Sequence, residues 1–125
     1  MYERTVLIVE DELLIRMVLA DALFDQGYDV LEAGNVIEAV AIIGQKRVDA
    51  VITDVDMPGG FSGLDLLRMM STNHANVPVI VASGGHQLRQ DDMPVGAVFV
   101  PKPYSVTGIV SMVGEMICAD KRRRA

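Results

Sequence analysis

The sequence predicts an α/β fold, a doubly wound five-stranded parallel sheet with helices on both faces. Two observations carry this expectation. Five short runs rich in β-branched and other apolar residues recur along the chain, and the first, 5–9, is apolar enough to read as a strand buried on both faces. Segments with helical spacing of apolar residues lie between most of them, and strands alternating with helices form parallel sheets. Right-handed crossovers then leave few topologies.

The run 5–9 reads as the first strand. A helix over 12–26 follows, with Leu13, Met17, Ala20 and Phe24 as its inward stripe and Gly27 as its stop. Residues 29–32 form a short strand. Asn35 followed by Glu38 resembles a capping box, opening a helix that buries Val36, Ala39, Val40 and Ile43. The third strand is 49–53. Ser62 with Asp65 caps a third helix carrying Leu64, Leu67 and Met69 or Met70. The fourth strand is 78–82, where Pro78 costs little at the first position. Next, 97–100 form the fifth strand, and Ser105 opens a last helix with Val106, Ile109, Val110, Val113 and Ile117 inward. Between strands four and five the chain is rich in Gly and polar residues, with room for at most one short helix near 86–91.

The 125 residues make one domain with enough apolar content, half of all residues, for a real core. No apolar run approaches the ~20 residues that span a bilayer. The start leads directly into a strand, without a secretion-type leader. Cys118 stands alone, so no internal disulfide forms, which fits a reducing cytoplasm. The net charge of −6 argues against general nucleic-acid binding. The basic run at 121–124 is the exception, and 119–125 reads as a solvated or disordered tail after a domain ending near 118.

The chemistry gathers at strand ends. The first strand runs into Glu10-Asp11-Glu12, the third into Asp54, the fourth into Ser83-Gly84-Gly85, and the fifth into Pro101-Lys102-Pro103. Open parallel sheets place their sites beyond the carboxyl ends of the strands, so these groups meet on one rim. Carboxylates ~4 Å apart repel by about 4 kcal/mol at an effective dielectric near 20. An all-oxygen acidic set built on Glu10, Asp11 and Asp54, with no His or Cys among them, suits a hard divalent cation, Mg²⁺ or Mn²⁺. Lys102 supplies a counter-charge and Ser83 a hydroxyl donor, so each oxygen of a transferring phosphoryl group has a partner. Asp54 is then the nucleophile, since a carboxylate forms an acyl phosphate.

Taken singly, each residue has an ordinary reading. An Asp after a strand commonly caps a helix or forms a turn, and the acids at 10–12 suit a helix N-terminus. Lys102 and Ser83 alone are surface and turn residues. Their occurrence together, each at a strand end, favours the chemical reading. His74 and His86 lack companions at metal-ligand spacing and read as surface residues, the methionines as core filler, and Cys118 as an inert helix residue.

With these motifs in place, the chain resembles a response-regulator receiver domain of two-component signalling. The resemblance runs from Val6 to about Met116. It rests on Val-Glu-Asp-Glu at 9–12, Asp-Val-Asp-Met-Pro at 54–58, Ala-Ser-Gly at 82–84 and Pro-Lys-Pro-Tyr at 101–104. It implies a flavodoxin-like (βα)₅ fold with strand order 2-1-3-4-5. It implies Asp54 as phosphoacceptor, charged by a histidine kinase or histidine phosphotransfer protein. It also implies Mg²⁺ on Asp11, Asp54 and the backbone carbonyl of Asp56, with Glu10 acting through water. Ser83 and Phe99 match the switch pair, Lys102 the phosphate-binding lysine, and Lys102–Pro103 a peptide that is cis in the family. Asp56 and Gly85 fall where the family tunes loss of the phosphoryl group.

Three departures stand out. The loop at 58–63 carries one extra residue, the segment 83–102 is short and Gly-rich at the usual output face, and no effector domain follows Cys118. The motif style is similar to stand-alone or hybrid-kinase receivers of alphaproteobacteria. The resemblance implies a phosphorylation switch acting on an unidentified downstream protein, or relaying phosphate. Two other functions stand beside it. One is a receiver-like binding module that uses no phosphate, against which the intact acids, Ser83 and Lys102 argue. The other is an aspartate-nucleophile phosphatase of the haloacid-dehalogenase type, for which Asp54-Val55-Asp56 fits, but which leaves Glu10 and Asp11 unexplained.

Overall fold

The computed structural model describes residues 4–57, 59–84, 93–94 and 96–124. In chain order these form β1 (Thr5–Val9), α1 (Leu13–Asp25), β2 (Asp29–Ala33), α2 (Val36–Gln45), β3 (Ala50–Asp54), α3 (Gly63–Asn73), β4 (Val79–Ser83), β5 (Ala97–Pro101) and α4 (Val106–Arg124). All strand pairs are parallel and the sheet order is β2-β1-β3-β4-β5. The expected short helix near 86–91 and the role assigned to Gly85 lie outside the described residues.

Every residue of β3 and β4 is buried, as the uniform apolar runs require. Side chains alternate between the two faces of each strand. In β1, Leu7 and Val9 join Val36, Ala39, Leu66 and Met70 under α2 and α3, while Val6 and Ile8 join Leu19, Leu23, Ile109 and Val113 under α1 and α4. Both faces are therefore covered by a pair of helices.

The helix faces differ in part from the expectation. On α1, Leu13, Met17 and Phe24 are exposed, and the buried residues are Leu19 and Leu23, with Ile15 and Ala20 partly covered. Ten of the 13 residues of α1 are apolar, so stripes exist at several angles around the helix and spacing alone does not select one. Val40 of α2 is likewise exposed rather than inward, and Leu66 of α3 is fully buried. α4 continues to Arg124, so the backbone of the basic run is helical where the sequence suggests a disordered tail. Ala, Lys and Arg favour helix, no Gly or Pro interrupts the run, and basic residues suit a helix C-terminus.

Candidate functional site

Asp54 is the last residue of β3 and Ser83 the last of β4, one position beyond the strand ends expected from sequence. Register places Asp54 beside Ala82 and Ser83 beside Pro101, so the carboxyl ends of these strands form one continuous rim. Glu10, just past β1, is fixed by its backbone N–H, which donates to the Ala33 carbonyl at 3.0 Å.

On this rim, carboxylate oxygens of Glu10, Asp11 and Asp54 lie within 4.8 Å of one another. Glu10 and Asp54 are buried and Asp11 is exposed, so the cluster opens outward through Asp11. Lys102 reaches in from the loop after β5, its Nζ at 2.8 Å from Asp54 Oδ2 and 3.5 Å from Glu10 Oε1. The Lys102 backbone N–H donates to the Ser83 carbonyl at 2.9 Å, and the Lys102–Pro103 bond is cis. Three carboxylates thus face one ammonium. That excess of hard oxygen donors fits a divalent cation of the Mg²⁺ or Mn²⁺ class.

Ionisation follows this geometry. Burial raises the Glu10 carboxyl above its ordinary value, and Asp11 and Asp54 push the same way, against the Glu12 N–H and Lys102. For Lys102, burial disfavours the ammonium, but the hydrogen bond and charge of Asp54 with the charge of Glu10 outweigh it and leave its pKa raised. Tyr104 is also raised, by burial first and then by the negative charge of Glu10.

Among the other expected residues, Ser83 is buried at the rim and Asp56 is exposed on the loop after β3. Phe99 is half-buried on β5, in register with Val81. His74 caps the C-terminus of α3, away from the rim. His86 lies outside the described residues.

Three residues of the site carry no special signal in the sequence. Arg16, on the first turns of α1, donates Nη1–H to the Glu10 carbonyl at 2.9 Å and Nε–H to Glu32 Oε1 at 3.0 Å. The Thr53 hydroxyl donates to the Asp54 carbonyl at 3.0 Å. Gly63 opens α3 directly against the Asp54 backbone, where its N–H donates to the Val55 carbonyl at 2.9 Å. An arginine six residues after an acid, or a glycine after a Ser cap, becomes visible only once the loop lengths are known.

Comparison with known proteins agrees with this geometry. Residues 6–114 match the family described as response regulator receiver domain. The chain is 34% identical over 122 residues to the DNA-binding transcriptional regulator NtrC of a Bradyrhizobium strain, and 37% over 118 residues to the sensor kinase CckA of Brucella abortus. It is 30% identical over 112 residues to sporulation initiation phosphotransferase F of Bacillus subtilis. These alignments cover 95%, 90% and 87% of this chain, but 25%, 12% and 90% of the three relatives, so the chain spans only a fraction of the first two. Among solved structures, the receiver domain of the hybrid histidine kinase CckA is similar with a TM-score of 0.74 and 33% identity, over 90% of this chain and 98% of that one. A CheY-like receiver domain from Methanospirillum hungatei shares the fold with a TM-score of 0.89 at 21% identity, over 98% and 99% of the two chains. No helix among the described residues is long and apolar enough to cross a membrane. With its sheet order, its acidic rim and these relatives, the chain belongs to the response-regulator receiver domain family of two-component signalling.

Proposed function

We propose that the chain is a phosphorylation switch whose acceptor is Asp54, charged from a phosphohistidine of a kinase or phosphotransfer protein. The observation that carries this reading is the buried Asp54 carboxylate, held 2.8 Å from Lys102 Nζ inside a cluster of two further acids. An aspartate serving only as a cap or turn former has no use for that arrangement. The receiver family also accounts for Glu10 and Asp11, which the phosphatase reading leaves unexplained.

Asp11 and Asp54, the Asp56 backbone carbonyl, and Glu10 through water would hold Mg²⁺, which when bound supplies positive charge to the phosphoryl oxygens. In the transfer, an Asp54 carboxylate oxygen forms a bond to phosphorus as the phosphorus–nitrogen bond of the phosphohistidine breaks. The electron pair leaves with the imidazole, which takes its proton from solvent. Lys102 neutralises charge on the equatorial oxygens, and the Ser83 hydroxyl donates to another. As Ser83 turns toward the phosphoryl group, Phe99 on the neighbouring strand turns inward, which biases an existing two-state equilibrium. Asp56 and Gly85 tune hydrolysis of the acyl phosphate.

The phosphohistidine partner approaches across an apolar wall beside the acceptor. Leu14, Ile15 and Val18 of α1 face Pro103, Tyr104 and Val106, with Lys102 at the inner edge. Leu14 is 77% exposed and Val18 53%, which for an isolated domain is costly unless a partner covers them.

Incubation with acetyl phosphate and Mg²⁺ tests the reading. Mass spectrometry is expected to show the addition of one phosphoryl group, lost in Asp54→Asn. Absence of any adduct, and of any spectral change with beryllofluoride and Mg²⁺, refutes the switch.

A further inference from the structure

We propose that Arg16 is a positioning residue for the acidic rim, a clamp that sets where Glu10 and Asp11 present their carboxylates. The proposal rests on the reading of the rim as a cation site. Its basis is that both backbone groups of Glu10 are held. The N–H donates to Ala33 O of β2 at 3.0 Å, and the carbonyl accepts from Arg16 Nη1 at 2.9 Å. Arg16 is itself anchored twice more. Its Nε donates to Glu32 Oε1 at 3.0 Å, and its backbone N–H to the Glu12 carbonyl at 3.0 Å. A Cβ on Gly34 would meet Arg16 Nη1 at 3.3 Å and Glu38 Oε1 at 3.4 Å, so that glycine leaves the space the guanidinium occupies. The turn from β1 into α1, which carries the acids at 10–12, is thereby tied to edge strand β2.

Geometry rather than charge is the substance of this role, and the two predict opposite signs. The guanidinium charge is matched by Glu32, the pair being 20% and 42% exposed in their side chains. Removing Arg16 adds one net negative charge near the rim. By Coulomb's law alone that tightens cation binding. Loss of the clamp frees the Glu10–Asp11 peptide and weakens binding, as loss of groups that orient metal ligands does.

The experiment is calorimetric titration of Mg²⁺, repeated with Mn²⁺, into the wild type, Arg16→Ala, Arg16→Lys and the double variant Arg16→Ala/Glu32→Gln, with thermal unfolding of each without metal. Arg16→Ala is expected to weaken Mg²⁺ binding by about tenfold. Arg16→Lys recovers part of the loss, because an ammonium satisfies one of the two acceptors. The double variant, which restores the net charge, stays as weak as Arg16→Ala. At saturating Mg²⁺ the acetyl phosphate rate of Arg16→Ala returns close to the wild-type rate, a separation that general destabilisation does not produce. Unchanged or tighter binding by Arg16→Ala overturns the clamp while leaving the cation site intact. If Arg16→Ala fails to fold, wild-type affinity in Arg16→Lys overturns it and a loss supports it. A wild type that binds neither cation refutes the reading of the rim and takes the clamp with it.

Discussion

Replacing Gly63 by alanine tests how tightly the strand that ends at Asp54 is built into the fold. Gly63 is the first residue of α3 and is buried. A Cβ built there falls far inside contact distance of the Asp54 carbonyl oxygen, 2.9 Å from the carbonyl carbon and 3.1 Å from Thr53 Oγ1. The obstructing atoms are mostly backbone, so no side chain can rotate away. The helix cannot retreat easily either. Ser62 and Asp65 close a capping box, and the Gly63 N–H is bonded to Val55 O at 2.9 Å. Overpacking against a core costs 1–3 kcal/mol, and a backbone obstruction belongs at the top, about 3 kcal/mol. At ~4 °C per kcal/mol for a domain of this size, the melting temperature falls by about 12 °C. The end of β3 must also shift, and a misplacement of ~1 Å can cost ~100-fold in rate, so acetyl phosphate labelling of Asp54 slows markedly. Gly44 is the control. Nothing lies within 4 Å of a Cβ there and its φ is unremarkable, so Gly44→Ala in α2 is expected to stabilise by about 0.5 kcal/mol. Circular dichroism melts and labelling rates read both variants. A Gly63→Ala protein melting within ~2 °C of wild type and labelling at its rate refutes the close-approach reasoning.

Other perturbations follow from the same geometry. Asp11→Asn removes one of three mutually repelling carboxylates and is expected to raise the metal-free melting temperature by an amount worth about 1 kcal/mol after solvent screening, while abolishing the Mg²⁺-dependent rise expected of the wild type. Lys102 has a folded pKa above its ordinary 10.5, so its contribution is whole below about pH 10.5 and is lost as pH rises through the folded value. Lys102→Met therefore narrows its stability gap to the wild type at the alkaline end, which melts across pH 9–12 measure, and an unchanged gap contradicts the Asp54 pairing. Leu14→Asp or Val18→Asp is expected to slow phosphoryl transfer from a histidine-phosphorylated partner by tenfold or more, on the order of one lost interface anchor, while leaving acetyl phosphate labelling within about twofold of wild type. Equal slowing with both donors refutes docking on that wall.

The legible parts of the chain share a physical trait. Strands buried on both faces are apolar along nearly their whole length, so β1, β3 and β4 are legible without knowledge of their neighbours, whereas edge strand β2 keeps Asp29 and Glu32 exposed and is marked only by Val30 and Leu31 between them. β3 and β4 end one residue later than polarity suggests, at Asp54 and Ser83, because a polar side chain suggests exit from a sheet while backbone pairing continues. The inward face of α1 was not legible, since Leu13, Leu14, Met17, Val18 and Phe24 are apolar yet exposed. The gathering of the rim acids, Ser83 and Lys102 is legible because each lies at or within two residues of a strand's carboxyl end. Arg16 and Gly63 are not legible, because their roles depend on how a helix start meets a strand end.

The charges on the rim bear on how Asp54 can be buried and still serve as the proposed acceptor. At an effective dielectric near 20, Lys102 Nζ at 2.8 Å attracts the Asp54 carboxylate by about 6 kcal/mol. Glu10, buried beside it, and the exposed Asp11, whose charge water screens, repel it. The Asp54 carboxylate is thus held between opposing charges. A salt bridge that simply secured Asp54 would make it a poor nucleophile. Surplus acids with no counter-charge would protonate or unfold the rim. On the proposed reading, a divalent cation would act on the repulsive side of this balance, and a phosphoryl group on Asp54 would draw Lys102 from the carboxylate to the new oxygens. Both events would change opposing interactions at one point of the sheet, beside the buried Ser83 hydroxyl and the backbone bond that ties Ser83 to Lys102. A small chemical change at Asp54 would thereby gain leverage over the ends of β4 and β5.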